Sequence, residues 1–209
     1  MRSDSIQIKS SGEGVEEALY AASASAVYRA LNKKEAIHLR LLAEETIGLA
    51  RQLTDAAGAT FWVESTGRAF ELHLIARPLV TGSMRRELLK VSTSGKNEAA
   101  KGFTGKLRDI VNRAVAPESA NGAADYYSRG LIPPDGYTLA DPLAYSMSAD
   151  AVTWSMRKYR DEVGAHAADS AQAKEEWDEL EKSIVASIAD EVKIAVTGDK
   201  VEMTVYKSF

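Results

Sequence analysis

One stretch of the chain combines glycine, lysine and a helix start in the order that phosphate-binding loops use. It reads STSGKNEAAKGFTGKLRDIV over residues 92–111, a polar segment that runs into an amphipathic helix. The glycines permit close backbone approach, and the lysines supply positive charge near the N-terminus of that helix, which together attract anions. The candidate ligand-binding residues are Ser94, Gly95, Lys96, Asn97, Lys101, Gly102, Thr104, Gly105 and Lys106.

The same loop has a second interpretation. It is not a Walker A motif, because neither Gly-Lys pair has a glycine at the required distance before it or the Ser/Thr pattern after it. Glycine and lysine content is also typical of a surface loop whose lysines are merely solvated. The residues leave both interpretations open, an anion site and a solvated connector.

Two adjacent glutamates, Glu44 and Glu45, are the candidate catalytic residues. They lie in LLAEETIGLARQL, whose apolar spacing is helical, so at least one of them is expected to face the sheet and be partly desolvated. Such a carboxylate can act as a general base. The alternative is an exposed helical glutamate that pairs with Arg40 or Arg51.

The chain has few residues that could bind a metal ion or carry out thiol chemistry. It has no cysteine, and its three histidines are far apart at positions 38, 73 and 166. Disulfides and thiolate sites are therefore excluded, and no metal site is predicted. We interpret His38 and His73 as ordinary surface or packed histidines. A net charge of -4 gives no general attraction to nucleic acid, so a nucleic-acid partner is not expected.

Composition predicts one domain over residues 1–209, with residues 117–150 as an insertion or long loop rich in proline, glycine and tyrosine. The chain is 45% hydrophobic, but no apolar run approaches the roughly 18 to 20 residues that a membrane helix needs. The N-terminal segment also lacks the apolar centre of a signal peptide, so we expect a cytoplasmic protein without a membrane partner. Three tryptophans, at 62, 154 and 177, are assigned to the core. The better candidates for contacting a ligand or partner are Tyr126, Tyr127, Tyr137 and Tyr145.

Local patterns predict helices and hairpins in alternation. The predicted elements are a strand at Ser5–Lys9, a helix in GVEEALYAASASAVYRALN, a long helix at about 34–56 capped by Asn32 and stopped by Gly58, a hairpin at about 60–76, a helix at 103–116, helices in AVTWSMRKYRDEV and AQAKEEWDELEKSIVASIAD, and a hairpin at about 191–206 around Gly198-Asp199. We predict an α+β fold, a two-layer sandwich with helices on one face of a mixed sheet. Both hairpins should share that sheet, because a hairpin alone is marginal.

This element order resembles the ATP-binding fold shared by histidine kinases, anti-sigma-factor kinases, the Hsp90 chaperone and type II topoisomerases, called the GHKL or Bergerat fold. LLAEETIGLARQL is similar to the family's long helix with its catalytic or metal-orienting glutamate, and GFTGKLRDIV to its last glycine box. The resemblance covers most of the chain apart from the insertion. A closer likeness is to uncharacterised bacterial proteins that end similarly to WDELEKSIVASIADEVKIAVTGDKVEMTVYKSF and are often labelled ATP-binding. The resemblance to the GHKL fold implies ATP or ADP as a ligand, a role in signal transduction and paired subunits.

Two departures from the family pattern concern the nucleotide. ATP-binding members carry a magnesium-binding asparagine four residues after a glutamate, whereas Glu44 is followed at that distance by Gly48, and Glu45 by Leu49. Those members also carry an Asp-x-Gly-x-Gly segment after the hairpin, and ARPLVTGSMRREL offers no acid before Glu87. The sequence therefore predicts that no tight magnesium-ATP complex forms, and it does not identify the nucleotide.

Three functions remain open at this point. The favoured one is a regulatory or adaptor protein that signals through protein contacts, with a cleft for a small anionic ligand. An active kinase or ATPase of the anti-sigma-factor type would need another magnesium ligand, such as Glu44 or Glu45 with Asn97. A third interpretation takes KGFTGKLRDIV as the loop and helix of a KH-type RNA-binding module, which requires a compact setting of three helices and three strands.

Overall fold

The structure of the chain is a computed structural model that describes residues 1–53, 58–76, 151–166, 168, 171–197 and 200–209. In chain order these residues form β1 (Ile6–Ile8), α1 (Val15–Tyr28), α2 (Lys33–Leu53), β2 (Ala59–Thr66), β3 (Ala69–Ala76), β4 (Ala151–Ser155), α3 (Met156–His166), α4 (Ala171–Glu181), α5 (Ile184–Ile188), β5 (Glu191–Thr197) and β6 (Lys200–Ser208). The helix predicted at 103–116 and the insertion at 117–150 lie outside the described residues.

The strands form one six-stranded sheet in the order β1-β2-β3-β6-β5-β4, and all the described strand pairs are antiparallel. The prediction of a mixed sheet is therefore wrong for the described strands. Two helices separate β1 from β2, so the chain returns to the end of the sheet that it left, and β2 runs back beside β1. A parallel pair would have required a connection that crosses back to the other end of the sheet, where β1 begins.

Both hairpins lie in this sheet, which confirms the prediction that they share it. The inner strands of the hairpins pair directly, from Ala69 opposite Ser208 to Ala76 opposite Val201. Residues distant in the sequence therefore form the centre of the sheet, where each hairpin supplies the neighbour that the other needs for stability.

The core lies between one face of the sheet and the helices. Residues directly opposite each other on neighbouring strands point to the same face, and Phe61, Leu74, Met203 and Ile194 follow one another in this way across the sheet. All four are buried, and each described helix adds to the same apolar cluster. The helical members include Leu19, Leu42, Met156, Leu180 and Val185. The α+β class and the placement of the described helices on one face are thus as predicted.

A capping box begins α2. The Glu35 backbone N–H donates to Asn32 Oδ1 (3.1 Å), and the Asn32 N–H donates to Glu35 Oε2 (2.9 Å). Two backbone donors at the helix start are therefore satisfied reciprocally. This confirms Asn32 as the predicted cap and fixes where α2 turns away from α1.

Glycine begins α1 because the chain passes very close to β1 at that point. Gly14 has φ +85° and ψ -12°, in the left-handed region that favours glycine. A Cβ atom at this position would overlap the carbonyl oxygen of Gln7 on β1. Gly12, two residues earlier, also has a positive φ (+96°), but a Cβ there would meet no atom within 4 Å.

Two helix predictions near the C-terminus need correction. In AVTWSMRKYRDEV the first five residues are β4, because Trp154 pairs with Ile194 and completes the buried face at the end of the sheet. The next predicted helix is divided into α4 and α5 at Ser183, whose side chain accepts a hydrogen bond from the Ala186 N–H (3.2 Å). That local cap starts a new helix, and Ile184 at its first position is 42% exposed.

Candidate functional site

The two candidate catalytic glutamates lie near the middle of α2, and they do not share one environment. The buried side of this helix carries Leu42, Thr46 and Ile47, which face the core. Glu44 is exposed, and Glu45 is half-buried. Successive helical residues point about 100° apart, so the two carboxylates do not converge on one point. Neither forms an ion pair with another described residue, Arg40 included, so the predicted pairing with Arg40 is absent.

The candidate ligand-binding loop lies outside the described residues. This applies to all nine of its predicted residues, Ser94, Gly95, Lys96, Asn97, Lys101, Gly102, Thr104, Gly105 and Lys106, and to the four tyrosines of the insertion. The loop's proximity to Glu44 and Glu45 therefore stays a prediction.

The structure brings together a polar and aromatic group that was not predicted, on the sheet face opposite the helices. We call Trp62, Glu64, Glu71, His73 and Thr204 the Trp62–His73 cluster. Trp62 stands directly opposite His73, and His73 stands opposite Thr204. Since side chains alternate along a strand, these residues point away from the buried face. Trp62 is buried as expected, with only 7% of it exposed, but it lies outside the apolar cluster that the helices cover.

Stacking organises this cluster. The Trp62 and His73 rings have centroids 4.7 Å apart and planes inclined by 5°. The indole Nε1–H of Trp62 donates to Glu64 Oε1 (2.9 Å). His73 Nδ1 lies 3.3 Å from Thr204 Oγ1, and its Nε2 lies 3.4 Å from Glu71 Oε2. His73 is thus a packed histidine, which stacks on Trp62 and contacts Thr204, in agreement with its interpretation as an ordinary surface or packed residue.

Both signs of charge surround the cluster. The Arg2 guanidinium lies 4.7 Å from the Trp62 ring centroid, and its Nε lies 3.8 Å from Glu64 Oε1. Lys193 stands opposite Thr204, with its Nζ 5.3 Å from the Tyr206 ring centroid. Burial, and then the negative charge of Glu71, raises the pKa of Tyr206, so this phenol stays protonated at neutral pH. The cluster can therefore offer a planar aromatic and imidazole surface bordered by carboxylates. Within the described ranges, no set of three or more His, Asp or Glu side chains is placed to hold a metal ion.

A buried carboxylate outside the Trp62–His73 cluster has a structural role. Glu191 is 8% exposed and accepts hydrogen bonds from Ser155 Oγ (2.9 Å), the Arg157 N–H (3.1 Å) and the Val192 N–H (2.9 Å). These bonds attach the start of α3 to β5, and a negative charge at a helix N-terminus is favourable. Since its oxygens are already occupied by these donors, Glu191 is not a candidate catalytic base.

Next to it, Asp190 joins the two strands of the C-terminal hairpin. Its carboxylate accepts from Lys207 Nζ (2.8 Å) and from the Ser208 N–H (2.6 Å). Burial alone would raise the pKa of Asp190, but the hydrogen bonds from Lys207 and Ser208 outweigh it and hold the pKa below its usual range. The charged form of Asp190 is therefore favoured by folding.

A sequence signal for the Trp62–His73 cluster did exist. The turn between β2 and β3 consists of Gly67 and Arg68, and this sets Thr66 opposite Ala69 and therefore Trp62 opposite His73. With a two-residue turn, strand alternation alone would have placed both rings on the polar face.

No protein-family model matches this chain, and no curated protein or solved structure matches it either. Among the helices of the described residues, none has the length and apolar character required to cross a membrane.

Proposed function

We propose that this chain is a regulatory protein on an ATPase-like α+β scaffold, which signals through contacts with other proteins in the cytoplasm. Its cleft takes a small anionic ligand, such as ATP or ADP, without tight binding of magnesium-ATP. The arrangement of the described elements supports the scaffold: a strand, two helices and a hairpin precede a terminal hairpin in the same sheet, with α1 and α2 on one face. This is the order on which the resemblance to the Bergerat fold rests.

The observation that carries the proposal is the packing of α2. The helix packs against the sheet through Leu39, Leu42 and Ile47, as a long helix of an ATPase-like scaffold would, and this supports the proposal. At the positions four residues after its two glutamates stand Gly48 and a leucine, which have no side-chain oxygen for a magnesium ion. An ATPase-like scaffold without the metal-binding pattern favours regulation over phosphoryl transfer.

The proposed anion site consists of the backbone amides near Gly102 and Gly105 with the lysines at 96, 101 and 106. An exposed helix N-terminus contributes only about 0.3 to 1 kcal/mol to anion binding. The lysines must therefore supply much of the affinity, and replacing them should weaken it.

The alternative in the same fold is an active kinase or ATPase, which would require magnesium-dependent nucleotide binding and a working carboxylate. A KH-type RNA-binding module is less favoured, because the described strands form a six-stranded sheet rather than a three-stranded one.

A thermal-unfolding screen of the full chain with nucleotides and inorganic phosphate, each with and without magnesium, tests this proposal. A ligand at 100 times its dissociation constant should stabilise the fold by about 2.7 kcal/mol. We expect stabilisation by an anion that magnesium does not increase, and its loss in the triple variant Lys96→Gln, Lys101→Gln, Lys106→Gln. Magnesium-dependent stabilisation by ATP, removed by Glu44→Gln or Glu45→Gln, would favour the kinase instead.

A further inference from the structure

Helix α1 is apolar on both of its sides, although the described residues provide a partner for only one of them. Its inner side is buried against α2 and the sheet through small residues such as Ala18, Ala22 and Ala26. Its outer side carries Tyr20, Ala24, Val27 and Tyr28, which we call the α1 stripe. Tyr20 is 73%, Val27 79% and Tyr28 66% exposed.

The spacing of the α1 stripe is that of a helix contact surface. Its members are separated by four, three and one residues, which places them on one side of a helix over two turns. Exposed aromatic residues gathered in this way are typical of protein interaction sites, whereas isolated exposed apolar residues need no explanation.

We propose that the α1 stripe is the contact surface between two copies of this chain, with their α1 helices packed antiparallel about a two-fold axis near Ala24. An isologous contact of this kind requires a surface that is complementary to itself. Tyr20 and Tyr28 lie four residues before and after Ala24, so each tyrosine of one helix meets the other tyrosine of the second copy. The small side chain of Ala24 allows the two backbones to approach at the crossing.

Opposite charges at the two ends of α1 indicate that the partner of the α1 stripe is a second copy of this chain. Glu16 and Glu17 are exposed in the first turn and continue the stripe, since they precede Tyr20 by four and three residues. Lys33 and Lys34 are exposed just beyond the other end of the helix. An antiparallel pair places the acidic end of each copy beside the basic end of the other, while a parallel pair would oppose like charges.

The size of the surface sets the strength of the dimer. A helix of 14 residues is about 21 Å long, so one helix from each copy buries less than the roughly 1,200 Å² of a stable standard interface. We therefore expect a reversible dimer whose population depends on protein concentration. This inference depends on α1 and the start of α2 alone, and it stands or falls separately from the proposed regulatory function.

Sedimentation velocity of the full chain over a series of concentrations tests the dimer, because the monomer has a mass of 22.6 kDa. The wild type should shift toward twice that mass as concentration rises. Val27→Glu or Tyr20→Glu should weaken association by at least about tenfold, since each would bury a carboxylate in the contact. Ile184→Glu is the matched control, because it charges an exposed isoleucine on α5 and should leave association unchanged.

A charge exchange tests the antiparallel arrangement. Glu16→Lys with Glu17→Lys should weaken association, and adding Lys33→Glu with Lys34→Glu should restore it, because the exchanged charges again oppose each other. A wild type that stays monomeric at all concentrations would overturn the inference. The same holds if the two stripe variants associate as well as the Ile184 control, or if the fourfold exchange fails to restore association.

Discussion

A glycine pair at the start of α1 provides a quantitative test of how this chain is packed. Gly12 and Gly14 both have positive φ angles, of +96° and +85°, and they differ in the space around them. In Gly12→Ala the new methyl group meets nothing within 4 Å, so only the backbone conformation is strained. In Gly14→Ala the methyl group overlaps the Gln7 carbonyl oxygen, which cannot rotate away because it belongs to β1.

The two costs can be separated. A left-handed conformation destabilises a residue with a Cβ atom by about 1 to 2 kcal/mol. Alanine also lowers the conformational entropy of the unfolded chain, which stabilises the fold by roughly 0.4 to 1 kcal/mol and offsets part of that cost. We therefore expect Gly12→Ala to lower the free energy of unfolding by about 1 kcal/mol. Overpacking adds about 1 to 3 kcal/mol, so Gly14→Ala should lower it by about 3 kcal/mol.

Urea unfolding followed by tryptophan fluorescence measures both variants, and thermal unfolding gives an independent reading. For a chain of this size, 1 kcal/mol corresponds to about 2 to 4 °C, so the Gly14 variant should lose about 6 to 12 °C. Equal losses in Gly12→Ala and Gly14→Ala would refute the close approach of α1 to β1.

Further variants test the core, the Trp62–His73 cluster and the C-terminal hairpin by urea unfolding. Leu72→Ala empties a fully buried site in the sheet and should cost about 2 to 5 kcal/mol, whereas Ile184→Ala at an exposed site should stay within about 0.5 kcal/mol of wild type. His73→Ala removes the stack on Trp62 and should cost about 0.5 to 1.5 kcal/mol, and His73→Phe should recover most of it; equal losses would argue against stacking. Burial raises the pKa of Asp190, but the hydrogen bonds from Lys207 and Ser208 outweigh burial, so folding lowers this pKa overall. The charged carboxylate therefore stabilises the fold above the unfolded pKa, and this stabilisation disappears as the pH falls through the folded pKa. Asp190→Asn should accordingly destabilise the protein at neutral pH and match wild type in acid, and a constant difference across pH would contradict this reasoning.

The elements with strong local signals were predictable from the sequence. Asn32 and Glu35 begin α2 because their own side chains satisfy its first N–H groups, a signal that depends on neighbouring residues alone. The first hairpin was predicted because β-branched and aromatic residues flank a glycine turn. Pairing between the two hairpins followed from their need for a neighbouring strand.

The features that depend on tertiary structure were not predicted correctly. Trp154 belongs to a strand because the sheet edge at Ile194 needs a covering partner, and no local pattern in AVTWSMRKYRDEV indicates that pairing. Trp62 stacks on His73 because the two-residue turn sets the register of the hairpin, and the sequence predicted only the approximate bounds of this hairpin. The exposed apolar side of α1 is not predictable, because the sequence of an apolar helix does not show which of its sides is covered.

The proposed function is an ATPase-like scaffold with a long helix and without tight binding of magnesium-ATP. Titration calorimetry of ATP into the full chain, with and without magnesium, measures this most directly, with the Lys96, Lys101 and Lys106 triple glutamine variant as the matched control for the anion site. We predict that magnesium does not tighten ATP binding, because Gly48 and Leu49 stand where the resemblance implies a magnesium ligand. Micromolar ATP binding that depends on magnesium would contradict the proposed function.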